Sequence, residues 1–375
     1  MSRIAQVANF VGPHSGGIRT VLNRLADGYA AAGHEVLQVV PGARSECTTH
    51  AWGVRVELPG LVLPGTGYRV ITAGAVARLL GELEPDRLEV HDRTTLRSLG
   101  SWARRRDVSS CVVSHERLDR LLAQWVSGRI PTERIADLSN RRLAAGFDAV
   151  VCTTAWAASE FERLPIVNLQ VIPLGVDVDR FTPHAGNAGL RARLAPPGAV
   201  LLAMASRLSR EKQPGIAIAA TRELVRRGVA VTLAVAGDGP LRHRLESDAG
   251  DLPIHFVGHL SSAAEVAALL ATADIVLAPG PVETFGLAAL EALACGTPVV
   301  VNSRSALPEV IGRDAGVAAK ATAPAFADAV QQLLSRPEPA RAESARARAV
   351  GYDWATTVAG FLAAHQLADL RSVMG

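Results

Sequence analysis

Hydrophobic positions along this chain come in two alternating kinds of run. Short β-branched runs such as "IAQVANF", "EVLQVVP", "RLEVHD", "CVVSH", "AVVCTT" and "LQVIPL" read as strands. Most are separated by stretches of helical periodicity, as in "SGGIRTVLNRLADGYAAAG", where Gly33 fits a cap just past the last turn. Strands followed by helices of this length predict βαβ units and a parallel sheet. After "LGVDVDRFTPHAGNAG" the pattern restarts with "AVLLAMAS", "VAVTLAVAG", "IHFVGH", "ADIVLAP" and "TPVVVN", again separated by helical stretches such as "GIAIAATRELVRRG". The segment from Val178 to Gly198 is rich in Pro, Gly and His, shows no periodicity, and is expected to connect two domains. The predicted class is α/β: two doubly wound Rossmann-like domains facing across a cleft, the first over residues 1–178 and the second over 197–351. The tail "YDWATTVAGFLAAHQLADL" predicts one amphipathic helix within 352–375 with no strand after it, able to pack back on the first domain.

Composition narrows the classes. With 375 residues, 49% apolar and 20% charged, both halves can bury a core and disorder is excluded. The net charge of +3 is small and the basic residues are spread out, which argues against nucleic acid as a partner. Cys47, Cys111, Cys152 and Cys295 lie far apart without a CxxC pair and read as small buried hydrophobes in a reducing compartment. A strand beginning by Ile4 leaves no room for a signal peptide, and the best apolar run, "AALLATADIVLAPGPV", is broken by Asp274 and by Pro and Gly. The expectation is a cytoplasmic protein, at most docked on a membrane. Of 39 basic residues only Lys212 and Lys320 are lysines, which singles out their surroundings.

Ligands of open parallel sheets lie beyond the carboxyl ends of the strands, and the polar motifs fall there. In "ASRLSREKQPGIAI", Arg207 and Lys212 follow a strand and suit a diphosphate, one as a planar fork and one as a mobile point charge; a salt-bridged surface loop is the plainer alternative. In "PHSGGIRTV", Gly16 and Gly17 would let backbone approach a ligand at a helix N-terminus, although a tight turn would use them equally well. "AGDGP" lacks GxGxxG spacing, so no dinucleotide cofactor is expected; Pro240 reads as a first-turn residue with Asp238 or Gly239 as cap. In "VETFGLAALEALACGTPVV", Glu283 lies in a loop and "FGLAALEALACG" reads as a buried helix stopping at Gly296. The N–H groups of Phe285, Gly286 and Leu287 would open its first turn. Glu291 follows eight residues after Glu283, about 12 Å at helical rise. Ionised carboxylates accept hydrogen bonds from vicinal diols, so Glu283 could hold sugar hydroxyls and Glu291 a ribose, with Arg207 and Lys212 on the phosphates between. "DVD" at Asp177–Asp179 imitates a metal-binding motif but falls at the domain boundary; it reads as a loop, and no metal is expected.

The order "SRLSREK", "GDGP", "FVGHL", "PVETFGLAALEALACGTPVV" resembles the donor half of retaining glycosyltransferases of the GT-B fold, whose hallmark is two glutamates separated by seven residues. The resemblance implies that Arg207 and Lys212 bind the donor diphosphate. It places Glu283 and the backbone at Phe285, Gly286 and Leu287 on the transferred sugar, and Glu291 on the ribose. The backbone near Val257 and Gly258 would line the base pocket. In the first half, "QVANFVGPHSGGIRT", "GHEV", "LEVHDRTTLRSLG", "SHERLDR" and "PLGVD" resemble the actinobacterial phosphatidylinositol-mannoside mannosyltransferases of the PimC type. That implies GDP-mannose as donor substrate, no other cofactor, a phosphoinositide glycolipid acceptor, and peripheral attachment to the inner face of the plasma membrane. A histidine in the position of His115 contacts the transferred sugar in similar enzymes, which gives it a catalytic-site role alongside Arg207, Lys212 and Glu283. Asp92 and Arg93 are weaker candidates for the acceptor. Arg104 to Arg106, with Arg141 and Arg142, could meet anionic lipid or form ordinary solvated helix ends. Rival readings are another sugar nucleotide or inositol acceptor, a sugar-nucleotide 2-epimerase, and an inactive scaffold. Oligomeric state is not legible.

Overall fold

The computed structural model describes residues 1–12, 16–64, 66–125 and 131–367. Pro13, His14 and Ser15 of the Gly-Gly segment, and the tail beyond residue 367, lie outside them. Two compact units divide the chain, one formed by Met1–Gly175 together with the segment from Trp354 on, the other by Val176–Asp353.

The first unit opens with β1 (Arg3–Val7), α1 (Gly17–Ala31), β2 (Glu35–Gly42), β3 (Glu46–His50) and β4 (Gly53–Pro59), then a small hairpin of β5 (Leu61–Val62) and β6 (Arg69–Val70). It continues through α2 (Ala73–Leu83), β7 (Arg87–Val90), α3 (Leu99–Arg105), β8 (Ser109–Ser114), α4 (Leu118–Trp125), α5 (Thr132–Gly146), β9 (Ala149–Cys152), α6 (Ala155–Glu162) and β10 (Leu169–Val171). Eight strands form one sheet in the order β10-β9-β8-β7-β1-β2-β4-β3, parallel except for the edge strand β3. Its central strands are apolar on both faces because helices cover both sides; Ile4, Val7, Leu88, Val90, Val112 and Val150 are fully buried. The antiparallel edge strand is absent from the hydrophobic pattern for a simple reason: "ECTTH" is polar and almost wholly exposed. Chain order leaves β1 toward β2 and β4, then returns to β7 and runs the other way, so the switch point lies between β1 and β7.

The second unit contains α7 (Ala188–Leu194), β11 (Val200–Ala205), α8 (Pro214–Arg226), β12 (Val231–Ala236), α9 (Arg242–Ala249), β13 (Ile254–Gly258), α10 (Ala263–Thr272) and β14 (Ile275–Ala278). After these come α11 (Leu287–Ala294), β15 (Val299–Asn302), α12 (Leu307–Ile311), β16 (Gly316–Ala319), α13 (Ala323–Leu334) and α14 (Glu338–Val350). Its six-stranded sheet, β13-β12-β11-β14-β15-β16, is parallel throughout and switches direction between β11 and β14. Several helices begin where a short polar side chain accepts a first-turn N–H, among them Thr72, Thr154, Ser262 and Thr322.

Three sequence expectations need correction, the first being that Cys47 is buried: it lies exposed on the polar edge strand β3. The segment Val178 to Gly198 is not irregular throughout: α7 forms inside it, capped by Asn187, and Arg191 ties it to Asp274 at 2.8 Å. Its seven residues are too few to display a period. The tail helix also ends early. The last helix, α15 (Trp354–Ala364), stops before His365, and Gln366 turns left-handed with φ of 58°.

Helix α15 packs on α1 within the first unit, burying Val358 and Phe361, each such side chain contributing about 1.5–3 kcal/mol. Gly28 of α1 makes this contact possible, because a Cβ there would collide with both methyl groups of Val358. Gly28→Ala is therefore expected to cost about 1–3 kcal/mol of stability by overpacking, and Val358→Ala in the same chain should recover part of it. Thermal melts of wild type and the two variants check this; an unchanged midpoint for Gly28→Ala would show that α15 docks more loosely.

Candidate active site

The switch point of the second sheet gathers the motifs singled out in that half. The loop leaving β11 carries Arg207, half-buried, and a single 3-10 turn over Arg210–Lys212, after which Gln213, left-handed at φ 48°, starts α8. The loop leaving β14 carries Glu283. Lys212 Nζ and the Glu283 carboxylate form an ion pair, their side chains 30% and 21% exposed. Gly280 permits the approach: a Cβ there would already stand 3.4 Å from Lys212 Cα. The fold thus brings together a cation and an anion that lie 71 residues apart in the chain.

The "GDGP" segment is the support for this arrangement. Gly237, at φ 123°, and Gly239 pack against the backbone of Ser206 and Leu208, where any side chain would collide. Leu208 N–H donates to Asp238 O at 3.0 Å, Leu241 N–H donates to Leu208 O at 3.0 Å, and Gly237 N–H donates to Gly258 O at 2.7 Å. The loop that carries Arg207 is therefore stitched to the ends of β12 and β13, where Val257 and Gly258 lie. Pro240 does not open the next helix; α9 starts at Arg242, and the Asp238 carboxylate accepts from Gly239 N–H instead.

The acidic motif folds differently from its expected continuous helix. Phe285 is buried and meets Tyr352 edge to face at 5.9 Å, and Gly286 turns left-handed at φ 79° as the residue before α11. Helix α11 begins only at Leu287, so just the last four steps to Glu291 rise helically, about 6 Å. The loop is anchored by Ala306 N–H donating to Glu283 O at 2.9 Å. Glu291 keeps some exposed surface, yet no ion pair reaches it among the described residues, and burial pushes its carboxyl up to about 7.

In the first unit, Gly16 caps α1 and Gly17 begins it; a Cβ at either meets nothing within 4 Å among the described residues, so the fold itself does not demand glycine there. His115 follows β8. Its Nε2 lies 2.8 Å from Nδ1 of His91, with the rings stacked at 5.1 Å, and burial followed by the nearby His91 pushes it down to about 3, so it is neutral. Asp92 and Arg93, expected to face an acceptor, are turned inward instead, each 4% exposed. Asp92 accepts from Thr94 N–H at 2.8 Å and Thr95 N–H at 3.0 Å, closing its own turn. Arg93 pairs with Glu160 and donates to Ser114 Oγ at 2.8 Å and Glu116 O at 2.9 Å, which fixes the loop that presents His115. At the head of the second unit, Asp177 accepts from Arg180 N–H at 3.1 Å and serves as a turn residue.

Sequence reasoning missed Glu89 and His91. Register places Gln38, Gln6, Glu89 and Cys111 in one row across β2, β1, β7 and β8. Polar residues at matching positions of otherwise apolar strands were the available signal. Glu89 is fully buried and accepts from Gln6 at 2.8 Å, His91 at 2.7 Å, Tyr29 at 2.6 Å and His365 at 2.9 Å. Burial alone would raise its carboxyl; the hydrogen bonds from His365 and His91 outweigh that and hold it well below the usual carboxylate range.

Two doubly wound parallel sheets, each with polar loops at its switch point, define a glycosyltransferase architecture of the GT-B class. Residues 190–350 match the glycosyl transferases group 1 family and residues 16–175 the glycosyl transferase 4-like domain. This chain belongs to these glycosyltransferases. It is 49% identical over 363 residues, 96% of this chain and 95% of its relative, to a GDP-mannose-dependent alpha-(1-6)-phosphatidylinositol dimannoside mannosyltransferase of Mycobacterium tuberculosis. A GDP-mannose-dependent alpha-(1-6)-phosphatidylinositol monomannoside mannosyltransferase of Mycolicibacterium smegmatis is 31% identical, with 74% and 78% of the two chains covered. Among solved structures, a sucrose-phosphate synthase from Thermosynechococcus elongatus shares the fold, with a TM-score of 0.81 and 19% identity over 98% of each chain. No helix among the described residues is long and apolar enough to cross a membrane.

Proposed function

We propose that this protein transfers mannose from GDP-mannose to a phosphatidylinositol mannoside with retention of configuration. The convergence of Lys212 and Glu283 at one switch point, with Arg207 on the same loop as Lys212, carries the reading, and likeness to the mycobacterial dimannoside mannosyltransferase over 96% of the chain supports the donor and acceptor. Arg207 and Lys212 take the diphosphate. Glu283 and the backbone of Phe285, Gly286 and Leu287 take the mannose, Glu291 takes the ribose, and the backbone at Val257 and Gly258 lines the base. Gly16 and Gly17 let backbone close on the donor, and His115 contacts a sugar hydroxyl. Departure of GDP is helped by charge aimed at the growing diphosphate. The leaving phosphate takes the proton of the acceptor hydroxyl on the same face of the sugar, and no metal takes part. The enzyme works in the cytoplasm, on the inner face of the plasma membrane. Incubation of the purified protein with GDP-mannose and the lipid mannoside, followed by NMR of the product anomer, tests the proposal. An inverted linkage removes the retaining step. Release of an epimerised donor without acceptor replaces the transferase with an epimerase.

The ribose role of Glu291 gives a pH signature. With its carboxyl near 7 in the donor-free protein, the ionised acceptor form is scarce at pH 6 and dominant at pH 8. GDP is expected to bind about tenfold more weakly at pH 6 than at pH 8, and Glu291→Gln to flatten that dependence. Calorimetric titration at the two pH values decides it, since an equal slope in wild type and variant would take Glu291 away from the ribose. The stability sign is opposite. The unfolded carboxyl releases its proton near 4.5 and the folded one near 7, so folded-state stability falls as pH rises through that window. Glu291→Gln should therefore stabilise more at pH 8 than at pH 5, by on the order of 2 kcal/mol.

A further inference from the structure

We infer that Tyr352 is a positioning residue for the donor sugar: through Phe285 it holds the turn 283–287 in the shape that offers its backbone to the mannose. The inference deepens the proposed function and rests on its assignment of that turn to the sugar. The turn has little support of its own. Residues 283–285 lie outside any helix or strand, Gly286 is left-handed at φ 79°, and α11 begins only at Leu287. Three contacts from elsewhere fix it. Ala306 N–H donates to Glu283 O at 2.9 Å. Leu307 of α12 packs so closely on Gly286 that a Cβ there would come within 2.3 Å of Leu307 Cδ2. The ring of Phe285, 3% exposed, meets Tyr352 edge to face, with centroids 5.9 Å apart and planes at 74°. Aromatic rings favour this geometry, and it fixes direction as well as distance.

Tyr352 is itself held at its backbone, ring and hydroxyl. Its N–H donates to Ala349 O at 2.9 Å, and its carbonyl accepts from Val176 N–H at 2.9 Å. Its hydroxyl accepts from Arg348 Nη2 at 2.8 Å, and the Arg348 guanidinium lies 5.1 Å from the ring centroid. Arg348 also donates from Nε to Val310 O at 2.8 Å and from Nη2 to Glu309 O at 2.7 Å. Both carbonyls belong to α12, the helix whose Leu307 packs on Gly286. The contacts therefore close a ring: Phe285 to Tyr352, to Arg348, to α12 and back to Gly286. The far end of α11 is tied to the same helix as Arg348, since Arg346 of α14 donates to Ala294 O at 2.6 Å. Val176 and Asp353 bound the second unit, so Tyr352 stands one residue before the chain leaves it and is bonded to the residue where it enters. The diphosphate loop has a separate support in the glycines of "GDGP". Loss of the Tyr352 ring is thus expected to disturb the sugar turn and spare the diphosphate contacts.

The test compares two substitutions at Tyr352. Tyr352→Phe keeps the ring that meets Phe285, while Tyr352→Leu removes it. Turnover with GDP-mannose is expected to stay within about threefold of wild type in the first and to fall about tenfold in the second. Calorimetric affinity for GDP, which lacks the sugar, is expected to stay within about twofold of wild type in both. Equal turnover in the two variants, or a loss of GDP affinity in Tyr352→Leu as large as the loss of turnover, overturns the inference. Phe285→Leu should cost about as much as Tyr352→Leu, and the double variant no more than either; losses that multiply mean that the two rings act separately. A further measurement does not depend on any variant folding. Amide hydrogen exchange of wild-type protein over residues 349–353 is expected to slow more with GDP-mannose than with GDP, and equal protection overturns the inference. Two failures stay apart: a wild-type protein that does not turn over GDP-mannose removes the proposed function, whereas an active wild type with full turnover in Tyr352→Leu removes only the role of Tyr352.

Discussion

Glu283→Ala is expected to lower turnover by about a thousandfold while leaving the fold intact. The carboxylate is half-buried, paired with Lys212, and held on a loop whose backbone is anchored to Ala306. Its partial exposure limits what the pair adds to stability to less than about 1 kcal/mol, so the melting midpoint should move by only a few degrees. Chemistry is another matter. A fixed acceptor on the sugar hydroxyls orients the anomeric carbon, and loss of a preorganised polar contact of this kind costs about 10²–10³ in rate. The ion pair adds a second signature. Lys212→Ala leaves the Glu283 charge without its neighbour, so the double variant should lose less activity than the product of the two single losses. Steady-state kinetics on the four proteins checks this. Turnover within threefold of wild type in Glu283→Ala would sink the assignment of that residue to the sugar.

Arg207→Ala is expected to reduce turnover by about 10²–10³ and to weaken GDP binding. The side chain springs from a loop locked backbone to backbone against the glycines of "GDGP", so the backbone that carries it is set before any ligand arrives. Charge already in place where negative charge grows needs no reorganisation, which is why such groups weigh heavily in the rate. Arg207→Lys should recover only a small part, because a point charge cannot reproduce a planar fork across two phosphate oxygens. A variant in which lysine restores full turnover would show that Arg207 acts by net charge alone. The readouts are turnover and the calorimetric GDP affinity for both substitutions.

Much of this site was legible before any coordinates, and particular residues show why. Arg207, Lys212 and Glu283 fall directly after apolar strands, and the carboxyl ends of parallel strands are where ligands of such sheets lie. The Glu283 to Glu291 interval was recognised as a unit, but its shape was misread. A run of apolar residues gives no sign that Phe285 turns aside to meet Tyr352, 67 positions away (352 − 285), or that the helix waits for the left-handed Gly286. Asp92 and Arg93 follow a strand as read, and the structure holds both side chains largely buried. The partners of Arg93, Asn140 and Glu160, come from helices α5 and α6, and no local pattern announces that pairing.

The sequence by itself determined the alternation of strands and helices, the restart of that pattern near residue 199, and which polar residues follow strands. These are local matters, written in a period of two or of 3.6 and in the residues that interrupt it. Only the tertiary structure decided that Lys212 meets Glu283, that Gly28 makes room for Val358, and that Glu89 joins β7 to α1, to the end of α15 and, through His91, to His115. Each of those is a contact between segments far apart in the chain. Strand order and register fix it, and a buried charge can be satisfied only by whatever neighbours that order supplies.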